Sequence, residues 1–134
     1  MSSKATLEVC LGSIQIFNGL SGLLGGYMLI TDPTGDSLYM NLNWLKGTPF
    51  PNFLIPGILL FLFIGVSNIY GSWFTFKKSV KLAHLGLFSG IILMIWILSQ
   101  LAMIGYKGFL QPLYFVSGLL QTIAGVILLK WNRL

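Results

Sequence analysis

The sequence predicts an all-α, up-down four-helix transmembrane bundle with an ordered loop lying in the membrane interface. Three observations carry that expectation. Of 134 residues, 55% are hydrophobic and only 8% charged, about a third of the charge of an average soluble domain. The mean hydropathy is +0.84. Four apolar runs, residues 7–30, 53–76, 82–104 and 112–129, approach or exceed the ~20 residues a helix needs to cross a hydrocarbon core. With so few charges the chain cannot cover a globular surface with well-solvated groups. That argues against a soluble enzyme, a nucleic-acid binder and a disordered tail. Residues 1–134 are read as a single transmembrane domain.

The first run, Leu7 to Ile30, is too long for the apolar region of a signal peptide, and no small-residue cleavage site with a polar segment follows it. It is expected to be retained. Gly12, Gln15, Gly19, Gly22 and Gly26 recur along it at steps of three and four, which is one helix face. Small residues on one face let backbones approach closely in lipid. Asp32-Pro33-Thr34-Gly35 is a turn that ends this helix. The outer loop, residues 31–52, is long for a structureless connection. Its middle, Leu38 to Leu45, is too apolar for water and is expected to lie in the interface as a short helix or folded cap. Tyr39, Leu42, Trp44, Leu45 and Phe50 should then rest on the bundle. Thr48-Pro49-Phe50-Pro51 imposes an extended approach to the second span.

The second run carries no charge and has a small or polar stripe of Gly57, Gly65, Asn68 and Ser72. Five residues, Lys77 to Lys81, connect it to the third and require an antiparallel pair. The third holds Gly86 and Gly90 in a GxxxG arrangement, and the fourth holds Gly118, Gln121 and Gly125. The stripes are expected to face one another and the Leu/Ile/Phe remainder to face lipid. A homodimer through one seam is the alternative use of such a stripe.

Charge sets the orientation. Lys4, Lys77, Lys78, Lys81, Lys130 and Arg133 fall on one side, and only Lys46 and Lys107 on the other. This six-to-two bias places both termini in the cytoplasm. Aromatics sort the same way, with Trp73, Phe74, Phe76 and Trp131 at the inner interface and Tyr27, Trp44, Phe50, Tyr106, Phe109 and Tyr114 at the outer one.

At ~1.5 Å per helical residue, Gln15, Asn18, Asn68 and Gln121 all fall near the middle of the membrane. An unpaired amide there costs several kcal/mol, roughly 2–7, so these four should point into the bundle. They form either a structural clasp between helices or a polar site for a small ligand or lipid headgroup. No Asp, Glu, Lys, Arg or His lies near any midpoint, where proton-coupled transport and intramembrane acid–base chemistry normally place an ionisable group. Glu8 and His84 sit near the inner boundary, where Glu8 has His84 or Lys81 as a partner. One histidine and three acidic residues do not make a metal site. The single cysteine, Cys10, excludes an intramolecular disulfide and a CxxC redox pair. No cofactor and no catalytic set are expected.

Asp32-Pro33-Thr34-Gly35, Pro49-Phe50, Leu54-Ile55-Pro56-Gly57, Trp96, Gln100 and Gln111-Pro112-Leu113-Tyr114 resemble a family of small bacterial four-span membrane proteins. The resemblance implies a bacterial inner-membrane four-helix bundle and no known activity. Its motif positions Asp32, Pro49, Pro56, Gln100 and Gln111 gather at the outer rim, where turn and helix-start chemistry also explains them.

The expected function is that of a non-enzymatic bundle that binds membrane lipid or a small apolar or amphipathic ligand, or serves as an accessory subunit. The alternative is a small transporter or channel subunit working as a homo-oligomer. Membrane lipid, a second copy of the chain or another membrane protein are the partners in view; nucleic acid is not.

Overall fold

Each apolar run folds into one helix. The computed structural model describes residues 3–77 and 82–132, and among these it is all-helical with no strand. Helix α1 is Ser3–Thr31, α2 Leu54–Phe76, α3 Leu82–Ile104 and α4 Leu110–Asn132. All four are long and apolar enough to cross a membrane. The helices follow one another around the bundle. α1 lies against α2 and α4, and α3 against α2 and α4, with α1–α2 the most extensive pair and α3–α4 the next. Lys78, Lys81 and Arg133 of the charge count lie outside the described residues.

Helix α1 ends where Thr31 Oγ1 turns back to the Tyr27 carbonyl at 3.0 Å and Pro33 forbids a further turn. The chain then folds over one end of the bundle as a cap. Short 3-10 turns occupy Asp36–Leu38 and Leu42–Leu45, and the Asn41 side chain accepts from Asn43 N at 2.8 Å to start the second. Phe53 N donates to Pro33 O at 2.9 Å, so the two ends of the cap are joined. Leu29 of α1, Leu45 and Phe53 are buried together beneath it, with Trp44, Phe50 and Ile104 packed around them. The expectation of a folded cap holds for Trp44, Leu45 and Phe50. It fails for Tyr39, which is 94% exposed, and for Leu42, 41% exposed. Tyr39 has φ 57, a left-handed turn that leaves its ring free; an amphipathic ring is at home at the headgroup level and does not need burial there.

Helix α2 is not uniform. Leu54–Leu59 is α, Leu60–Val66 is π, and Ser67–Phe76 is α again. Pro56 lies in the first turn, where a missing N–H costs nothing. The π segment has a packing consequence. Gly57 and Gly65 both meet α1, at Leu29 and Gly26 for the first and at Leu23 for the second. In a regular helix these positions would lie about 80° apart around the axis, at ~100° per residue. The wider π turn accommodates one extra residue and brings them to within about 20°. Where π returns to α, side chains add donors to the carbonyls of the preceding turn. The Ser67 hydroxyl donates to Phe63 O there, and Asn68 Nδ2 to Ile64 O at 2.8 Å.

The small-residue seams are filled within the chain. A Cβ on Gly22 would lie 2.6 Å from Gly65 N, so the backbones of α1 and α2 touch at that crossing. Phe76 seats on Gly12, Ile69 on Gly19 and Phe61 on Gly26. Gly90 and Gly118 meet between α3 and α4, and Gly125 meets Leu87. A dimer through one of these seams would require the contacts to open.

Candidate functional site

The three amides Asn18, Asn68 and Gln121 meet in the bundle core, each fully buried. Asn18 Nδ2 donates to Gln121 Oε1 at 2.9 Å. Gln121 Nε2 donates to Asn68 Oδ1 at 2.9 Å and to Gly86 O at 3.0 Å. Ser117 Oγ donates to Asn18 Oδ1 at 2.7 Å. The network therefore ties α1, α2, α3 and α4 at one level. Two backbone carbonyls set its direction, because a carbonyl can only accept. Ile64 O takes the Asn68 amide hydrogen, which leaves Asn68 Oδ1 facing Gln121. Gly86 O and that oxygen both need the Gln121 NH2 group, which leaves Gln121 Oε1 facing Asn18. Ser117 completes the chain.

Gln15 does not join this network. It is fully buried one step along α1, and its Oε1 lies 2.6 Å from Thr75 Oγ1. The same hydroxyl is 3.0 Å from Gly71 O, and its one hydrogen serves either. Among the described residues Gln15 Nε2 has no hydrogen-bond partner. It occupies the notch of Gly71, 2.8 Å from where a Cβ would stand. Turning the amide over would let nitrogen donate to Thr75 and would leave the oxygen orphaned instead. The expected inward orientation of Gln15, Asn18, Asn68 and Gln121 is met for all four, but they form a cluster of three and a separate pair. Ser117, Thr75 and Gly86 O were not singled out from the sequence. Ser117 lies four residues before Gln121, one turn away on the same helix face, and that spacing was the available signal.

The rim residues also divide. Gln111 is buried, accepts from Lys107 N at 2.6 Å, and donates to Gln100 Oε1 at 3.3 Å and Gly105 O at 3.2 Å. It thereby ties the α3–α4 loop to both helices. Asp32 is used within its own turn, with hydrogen bonds from Thr34 Oγ1 at 2.6 Å and Ser37 Oγ at 2.7 Å. Those bonds, Thr34 first, hold its carboxyl below the ordinary value of 3.8. At the opposite end Glu8 is buried and His84 exposed, and no ion pair joins them; Lys81 lies outside the described residues.

A groove of about 230 Å³ runs along the outside of the α3–α4 pair toward the cap. Ile97, Leu98, Leu101, Pro112, Phe115 and Val116 line it, and Tyr106 and Gln111 stand at its cap end. Leu98, Leu101 and Val116 are 53%, 38% and 49% exposed, so the groove opens on the flank that the bundle turns outward. Lys107 follows Tyr106, and its ammonium lies 5.1 Å from the centre of the Trp44 ring on the cap. Among the described residues the three-amide network is thus satisfied within the bundle, and this groove is apolar. No family model, curated protein or solved structure matches the chain.

Proposed function

We propose that this protein is a non-enzymatic membrane bundle that binds lipid along its α3–α4 flank, as a lipid-carrying scaffold or accessory subunit. The observation that carries the reading is the groove itself, apolar, open sideways and placed where acyl chains would surround the bundle. The mid-level amides support it from the other side. Asn18, Asn68 and Gln121 spend their hydrogen-bonding groups on one another and on backbone, which suits a clasp better than a polar ligand site. Amides and hydroxyls at that depth also do not ionise, which favours a non-enzymatic role. The six-to-two distribution of Lys and Arg and the resemblance to small bacterial four-span proteins favour the bacterial inner membrane, with both termini cytoplasmic.

Solvent extraction of the purified protein followed by mass spectrometry tests the reading. A phospholipid present at a fixed ratio to protein, surviving extensive detergent washing, is the expected result. Recovery of no lipid beyond that of an unrelated four-span protein prepared in parallel would refute it.

A further inference from the structure

We infer that the groove selects a phospholipid with an anionic headgroup, its acyl chain lying along α3 and α4 and its phosphate meeting Lys107. This rests on the lipid-binding reading and adds the class of lipid. The segment from Ile97 to Ile104 rises about 10 Å, long enough to guide a stretch of acyl chain to the cap end. There the lining changes from aliphatic to Tyr106 and Gln111. The backbone of Lys107 is pinned to the same place, because its N–H donates to Gln111 Oε1 at 2.6 Å. Its ammonium stands over Trp44 at 5.1 Å. A ring face satisfies part of the cation and leaves N–H donors for a phosphate oxygen. Of the two acids of the cap, Asp32 and Asp36, the first has its carboxylate engaged by Thr34 and Ser37. Lys46, the other cation of this end, sits at the close of the Leu42–Leu45 turn and has no such tie to the groove. The occupant comes from the bilayer because the groove opens on the bundle's flank, with Leu98, Leu101 and Val116 partly exposed.

Native mass spectrometry of the full-length protein in micelles, offered equal phosphatidylglycerol and phosphatidylcholine with identical chains, tests this directly. The expected result is a preference for bound phosphatidylglycerol of roughly fivefold, the value of one lysine near an anionic surface. Lys107→Gln should bring the ratio to about one, Lys107→Arg should keep it, and Lys46→Gln should leave it unchanged. Leu101→Trp, which fills the groove, should remove both lipids. If Leu101→Trp removes lipid but Lys107→Gln leaves the preference intact, the headgroup assignment is wrong and the groove stands. If Leu101→Trp retains both lipids, the groove reading falls with it.

Discussion

Asn18 on α1 and Gln121 on α4 are joined by a 2.9 Å hydrogen bond from Nδ2 to Oε1, and Gln121 carries the connection onward to α2 and α3. Gln121 is the centre of the polar core and Gln15 is its outlier. The two positions should respond oppositely to the same substitution. Gln121→Leu removes three contacts, each worth ~0.6 kcal/mol in a membrane bundle, and should destabilise by about 2 kcal/mol. Gln15→Leu removes an orphaned nitrogen, while Thr75 keeps Gly71 O as its acceptor. It should be neutral or stabilising, by up to about 1 kcal/mol. Reversible unfolding in mixed micelles measures both; equal losses would mean that Gln15 is held by contacts other than those seen.

The glycine crossings allow a graded test. A methyl at Gly22 meets the backbone of Gly65, which cannot step aside, whereas at Gly25 it meets one Leu60 methyl at 3.3 Å. Gly22→Ala should cost about 1–3 kcal/mol through overpacking, and Gly25→Ala much less. A Gly22→Ala protein as stable as wild type would show that α1 and α2 cross less closely than described.

Orientation follows from charge. A C-terminal reporter and cysteines introduced at positions 2 and 132 should all report the same side, the cytoplasm. A cysteine at position 39 should be labelled from the other side by an impermeant maleimide, because Tyr39 is 94% exposed. Labelling of positions 2 and 39 from one side would contradict four crossings.

Asp32 makes the cap turn pH-dependent. Its folded-state value is lowered by Thr34 and Ser37, so the ionised carboxylate is the form that holds the turn. Its contribution is complete above the ordinary value of 3.8 and is lost as pH falls through the lower folded-state value. Ser37 N, which donates to Asp32 Oδ2 at 3.1 Å, should shift in NMR spectra across that acidic window. Asp32→Asn should abolish the titration; a Ser37 shift that persists unchanged in the variant would show that Asp32 is not its source.

How much of this was legible beforehand depended on which physical rule governed each residue. Span limits and the inward faces of Gln15, Asn18, Asn68 and Gln121 follow from hydropathy and helical period, both local properties. The pairing among the amides does not. It depends on how α1 and α4 are rotated, and on the π segment at Leu60–Val66, which changes the face of everything downstream in α2. That segment lies in a run of Leu, Phe and Ile with no Pro, and nothing local distinguishes it from α. For Tyr39, apolar character does not imply burial, because an amphipathic ring is at home at the interface. The groove was not legible, since Ile97, Leu101, Phe115 and Val116 read as ordinary lipid-facing residues until α3 and α4 are placed side by side.

The most direct measurement compares the lipid carried through purification by wild type, Leu101→Trp and Ser117→Ala, each checked for native helix content by circular dichroism. Ser117→Ala loosens the amide network at Asn18 Oδ1 without touching the groove; Leu101→Trp does the reverse. The expected result is bound lipid in wild type and Ser117→Ala and none in Leu101→Trp. Lipid retained by Leu101→Trp and lost from Ser117→Ala would place the ligand among the amides and contradict a closed polar core beside an open apolar groove.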